Sequence, residues 1–155
     1  MSSPIWTPNE TQIQNANITN FLSFTNQKIS TKLSNYWDLH QYSIDHSDEF
    51  WQLVADFCDA IGDFSGPVQV GESMIDTKWF PEASLNFAET MLARRDEEDA
   101  IVFRGENKVN LRLSFNDLYE QVAKVQAHMK ACGVGPGDRV AAFLPNHPAA
   151  IIGML

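Results

Sequence analysis

Positive charge is scarce in this chain of 155 residues, where 11 lysines and arginines face 20 aspartates and glutamates for a net charge of −9. Neutralising phosphate needs a basic face, so the sequence predicts no nucleic-acid partner and no attachment to an anionic membrane surface. The first basic residue is Lys28, which excludes a charged n-region and an arginine-rich transit segment. No apolar run approaches the roughly 18 residues of a membrane span. Cysteine is limited to Cys58 and Cys132, far apart and each on the apolar side of a helical pattern. Two buried, reduced thiols are therefore expected, and with them a cytoplasmic chain. Asn9-Glu10-Thr11 and Asn17-Ile18-Thr19 have the glycosylation spacing, but without a leader they are read as chance matches. Internal repeats and low-complexity segments are also missing.

What is present is enough for a core. The hydrophobic fraction is 44%, and ten Phe, four Trp and three Tyr require an interior to receive them. A domain of this size buries roughly 68–70% of the surface of its unfolded chain.

Residues 1–95 read as helical. Ile13, Ala16, Phe21 and Phe24 form one stripe, and Tyr36, Leu39 and Tyr42 mark a helix over 35–43. A third helix is predicted over 47–61, with Phe50, Trp51, Val54, Phe57, Cys58 and Ile61 as its apolar face. Asp45 is its expected N-cap and Gly62 its stop. From Asp63 to Ala83 the periodicity fails, and Gly66-Pro67, Gly71 and Pro81 punctuate a loop anchored by Trp79 and Phe80. A fourth helix follows, with Ser84 as cap, Leu85, Ala88 and Leu92 on one face, and Arg94 and Arg95 at its end.

After residue 99 the period changes to two. Residues 100–104 read as a strand, Gly105-Glu106-Asn107-Lys108 as a turn, and Val109, Leu111, Leu113 and Phe115 alternate with polar residues. Ser114 opens a long helix over 115–132, with Asp117 as its capping-box partner. Its predicted buried side is Phe115, Leu118, Tyr119, Val122, Val125, Met129 and Cys132, with His128 polar or at the boundary. Gly135-Pro136-Gly137-Asp138 then turns the chain into 139–144, read as a continuous buried strand, and Pro148 starts another helix. The predicted fold class is mixed α/β, a helical segment followed by the opening of a parallel layer.

Chemistry-bearing patterns are sparse. His40, His46, His128 and His147 lack metal-ligand spacing, no phosphate-cradling glycine loop runs from a strand into a helix, and neither cysteine is expected to have a positioned base. Leu144-Pro145-Asn146-His147-Pro148 is the one place with ligand topology, at the carboxyl end of a predicted strand entering a helix. The plainer reading of that stretch, and the favoured one, makes it a turn shaped by its prolines with Asn146 as helix cap.

Leu113-Ser114-Phe115-Asn116-Asp117-Leu118 resembles the L-[ST]-[YF]-x-[ED]-L motif that opens the adenylation domain of acyl-CoA synthetases and peptide-synthetase modules. The run from Gly133 to Ala141 and Leu144-Pro145-Asn146 match the helix, turn and strand that follow in that family. Tyr36-Trp37-Asp38-Leu39-His40 and Glu49-Phe50-Trp51 are similar to the N-terminal extension of the acetyl-CoA synthetase group, and the run from Trp79 to Glu89 most resembles the acetoacetyl-CoA branch. The resemblance implies a helical extension over 1–95 and the beginning of an AMP-binding domain over 96–155. It also implies a two-step reaction: ATP and acetoacetate form an acyl-adenylate, and coenzyme A then takes the acyl group, with magnesium on the phosphates.

The family's phosphate loop, its adenine and ribose motifs and its catalytic lysine have no counterpart among these residues. The resemblance therefore assigns no catalytic, cofactor-binding or metal residue here and places that machinery beyond Leu155. The expectation is a truncated ligase, inactive alone and prone to self-association. The competing readings are an independent binding or regulatory module, and an acetyl- or propionyl-CoA synthetase of the same superfamily.

Overall fold

A computed structural model describes residues 4–106 and 108–155. The chain divides into two compact units, one up to Leu85 and one from Asn86.

Four helices build most of the first unit. Helix α1 (Glu10–Gln14) opens on a capping box between Asn9 and Gln12. Helix α2 (Asn17–Lys28) carries Phe21 and Thr25 inward. Helix α3 (Tyr36–Asp45) starts at Asn35, whose side-chain oxygen accepts from the N–H groups of Trp37 and Asp38. Two of the four orphan donors at that helix end are thereby satisfied. Helix α4 (Ser47–Phe57) follows after a single corner residue, His46.

Phe21, Leu33, Leu39, Tyr42 and Leu53 form the core of this unit. The Phe21 ring meets Phe57 at 5.1 Å and Phe50 edge-on at 5.6 Å. The segment between α2 and α3 is fastened by Asn26, which donates to the Leu33 carbonyl and accepts from its N–H, both at 2.8 Å. Tyr42 donates its hydroxyl to Glu49, tying α3 to α4. Burial, then the Glu49 carboxylate, holds the Tyr42 phenol well above its ordinary range.

Several sequence expectations for this unit are corrected. Asp45 is the last residue of α3 rather than the cap of α4, because the corner is too short to release it. Helix α4 ends at Phe57, where Asp59 turns to φ +49, and does not continue to Gly62. Its buried residue is Leu53 at 6% exposure, while Trp51 is 44% exposed and Cys58 is also exposed. At 100° per residue the inward stripe runs 50, 53, 54, 57, so 51 and 58 stand one position off it.

The segment read as irregular between 63 and 83 contains two nested antiparallel ladders. Strand β1 (Gly62–Asp63) pairs with β4 (Ser84–Leu85), and inside them β2 (Gln69–Val70) pairs with β3 (Lys78–Trp79). Pairs of two residues carry too little alternation to show a period. The expected anchors do make contacts, Trp79 against Trp51 at 5.8 Å and Phe80 against Phe64 at 5.4 Å. A Cβ on Gly62 would come within 2.6 Å of the Leu85 Cβ, so only glycine lets β1 and β4 approach.

The second unit starts with helix α5 (Phe87–Met91), capped by the Asn86 side chain accepting from the Ala88 N–H. The predicted cap, Ser84, is instead in β4, and Leu85 is exposed. Arg95 donates to the Leu92 carbonyl at 2.6 Å and lays its guanidinium over Tyr119, while Arg94 covers Phe115.

Strands β5 (Asp99–Gly105) and β6 (Val109–Ser114) form the expected hairpin, with Ile101 opposite Leu113 and Phe103 opposite Leu111. Of its predicted turn, Asn107 lies outside the described residues, and the Lys108 N–H donates to Gly105 at 3.0 Å. Helix α6 (Phe115–Ala131) begins on the Ser114–Asp117 capping box. Helix α7 (Pro148–Met154) has its proline in the first turn. Leu92, Leu113, Leu118, Val122 and Ile152 make the core.

Two expectations fail in this unit. Residues 139–144 join no ladder, and Val140, Phe143 and Leu144 are exposed. A strand satisfies none of its own backbone groups, so apolar composition alone cannot hold one without a neighbour. Cys132 and Tyr119 are exposed rather than buried, because the α6 stripe narrows to Leu118 and Val122.

Candidate functional site

The stretch with ligand topology, Leu144 to Pro148, is placed against β5. Its His147 ring meets Phe103 edge-on at 5.2 Å, and the His147 Nδ1 accepts from the Ala149 N–H at 3.2 Å. His147 is therefore the cap of α7, where Asn146 was expected. A concavity of about 330 Å³ lies between this stretch and the Ile101–Arg104 segment of β5, with Arg104 its one charged wall. No strand delivers the chain to it, so the α/β rule that singled it out has lost its premise. The arrangement is that of a proline-shaped turn capping a short helix.

The perturbed carboxylates serve backbone structure. The Ser114 N–H and hydroxyl hold Asp117 below the usual carboxylate range, and the Ser65 N–H does the same for Asp63. The Arg94 guanidinium lowers Asp96, which also accepts from the Glu98 N–H. Asp63 and Asp117 are exposed and Asp96 half-buried, and each is satisfied within a turn or cap, so none is poised as an acid or base.

The histidines are dispersed. His40 lies against Tyr36 and Trp37, His46 stacks on Tyr42 at 4.8 Å, and His147 caps α7. His128 is the exception, with its Nε2 3.7 Å from the Cys132 Sγ. This overturns the expectation that neither cysteine has a base beside it. The spacing His128-x-x-x-Cys132, one helical turn, is the signal that could have found it. Among the described residues no group of three or more His, Cys, Asp or Glu side chains could hold a metal ion. No helix of the described residues is long and apolar enough to cross a membrane.

Four residues of the motif that carried the family resemblance have identifiable places in the structure. Leu113 and Leu118 are core, while Ser114 and Asp117 are the two halves of the capping box. The motif is thus the means by which β6 turns into α6. Gly133 to Asp138 likewise closes α6 and reverses the chain. The Val134 N–H reaches Met129 and the Gly133 N–H reaches Lys130, with Gly133 at φ +86. Pro136 and Gly137 (φ +94) then occupy the centre of a turn closed by the Asp138 N–H on Gly135.

Known proteins match nearly the whole chain. Residues 36–91 match the acetyl-coenzyme A synthetase N-terminus family, and residues 88–155 match the AMP-binding enzyme family. An acetoacetyl-coenzyme A synthetase of Rhizobium meliloti is 36% identical over 153 residues, which is 98% of this chain and 24% of that protein. A malonamoyl-CoA synthetase of Penicillium aethiopicum is 34% identical over 87% of this chain and 20% of its own length. The solved acetoacetyl-CoA synthetase from Streptomyces lividans superposes with a TM-score of 0.83 at 32% identity, covering 99% of this chain and 24% of that one. The chain spans between a fifth and a quarter of the length of these relatives. By sequence and by fold, it belongs to the AMP-binding, adenylate-forming enzyme family and corresponds to the N-terminal part of its acetoacetyl-CoA synthetases.

Proposed function

We propose that the polypeptide bearing this chain is an acid–thiol ligase that converts acetoacetate, ATP and CoA to acetoacetyl-CoA, AMP and pyrophosphate. The observation that carries the reading is the 36% identity to an acetoacetyl-coenzyme A synthetase along nearly the entire chain. A carboxylate is a poor electrophile, and coupling it to AMP gives its carbonyl a good leaving group for the thiol to displace. Magnesium would neutralise the triphosphate during the first step. Because the family's phosphate loop and its adenine and ribose motifs have no counterpart in this sequence, we assign magnesium, nucleotide and CoA to parts of the family fold other than the quarter represented here.

In this reading the chain supplies scaffold, a helical extension over residues 1–95 and the opening of the adenylation domain from 96. The change from helix to hairpin between Met91 and Asp99 supports that division, while the compact units themselves part between Leu85 and Asn86. A cytoplasmic location, read from two cysteines that are free of disulfides, and the absence of nucleic-acid partners, read from the acidic composition, belong to the same proposal.

The malonamoyl-CoA relative makes the acyl group the point to test. The whole polypeptide is assayed for acid-dependent pyrophosphate release and thioester formation with acetoacetate, malonamate, acetate and propionate. The reading requires the highest kcat/KM with acetoacetate. A preference for another acid would move the protein to a sister branch, and no thioester with any of them would favour a binding or regulatory module. The 155-residue chain alone is expected to release no more pyrophosphate than a protein-free control.

A further inference from the structure

We propose that Cys132 is a thiol–disulfide exchange site, with His128 accepting the proton of its thiol and a low-molecular-weight disulfide as co-reactant. Both residues stand at the C-terminal end of α6, one turn apart, and both are exposed. The Sγ–Nε2 separation of 3.7 Å places a nucleophile beside a base. The approach is open, since Ala131, Cys132 and Gly133 are all exposed. Cys58 is the internal comparison, exposed at the C-cap of α4 with no imidazole partner among the described residues.

The chemistry balances without a further reagent. The imidazole takes the S–H proton, and the thiolate attacks one sulfur of the disulfide. A Cys132–S bond forms, the S–S bond breaks, and the departing thiolate recovers the proton.

Other charges near the pair are occupied or distant from it in bonding. Lys124 pairs with Glu120 at 3.7 Å, Lys130 reaches Gln126 at 3.4 Å, and Asp138 accepts from the Gly135 N–H. Helix α7, packed on α6, has no ionisable side chain. In the hairpin, Asp99 and Arg112 pair with each other, and Arg104 faces the concavity beside His147. Arg139 follows Asp138 and forms no ion pair among the described residues.

The test treats the intact chain with glutathione disulfide and follows each cysteine by mass spectrometry. At pH 7, Cys132 is expected to form the mixed disulfide about tenfold faster than Cys58, and His128→Gln to remove that advantage. The effect of His128→Gln should narrow in alkaline solution, where a thiol ionises without help. An effect constant across pH would mark His128 as merely structural and overturn the proposal. So would a Cys132 rate changed by less than about twofold in both His128→Gln and His128→Asn, two variants that keep the helix.

Discussion

Ser114 and Asp117 each bond the other's backbone N–H, at 3.0 and 3.1 Å, and together they start α6. Removing the hydroxyl in Ser114→Ala is expected to cost about 1 kcal/mol in urea unfolding. The Asp117 half depends on pH with a definite sign. Its carboxyl is held below its ordinary value by the Ser114 N–H and hydroxyl, so the native state favours the charged form. Its contribution is fully present above the unfolded value and is lost as pH falls through the lower folded one. The gap in unfolding midpoint between wild type and Asp117→Asn should accordingly be present at pH 7 and close as acid is added. A gap unchanged down to pH 2 would mean that the charge on Asp117 is irrelevant to the cap.

At the scale of elements, α4 decides which apolar residues hold the first unit together. Leu53 is 6% exposed in the core with Phe21 and Tyr42, whereas Cys58 is exposed. Leu53→Ala is expected to destabilise the unit by about 2–5 kcal/mol, and Cys58→Ser to fall within about 0.5 kcal/mol of wild type. Equal effects in chemical denaturation would return the stripe to the 51–58 face. Periodicity placed α4 but rotated its face, because Trp51 looks as apolar as Leu53 and only packing separates them. The hairpin and α6 were legible because alternation and capping act through neighbouring residues. The β1–β4 and β2–β3 pairs were not, since two-residue strands are set by contacts between distant parts of the chain. The segment 139–144 misled for a related reason: its composition states what it would tolerate on both faces, and a strand also needs an adjacent edge. The His128–Cys132 pair was visible as an i, i+4 spacing, while the distance that makes it chemical was not.

For the whole molecule, exposed apolar surface governs behaviour in solution. Val140, Phe143 and Leu144 all face solvent within six consecutive residues, and β5 hydrogen-bonds only to β6 among the described strands. An exposed apolar segment and an unpaired strand edge on the same chain can complement each other, so a second copy can supply what each one lacks. Self-association of the chain is therefore expected, with weight-average mass in sedimentation rising with concentration. Phe143→Lys places a charge in the contact and should lower that rise without moving the unfolding transition of the helices, because Phe143 packs in neither core. Hydrogen exchange gives an independent reading. Amides over 139–144 lack ladder partners and should exchange within seconds in the dilute monomer, while those of α4 remain protected. As concentration rises, protection should appear over 139–144 and along β5 together. A chain that stays monomeric at every concentration, or one whose association leaves those amides unprotected, would show that the exposed segment is not the contact.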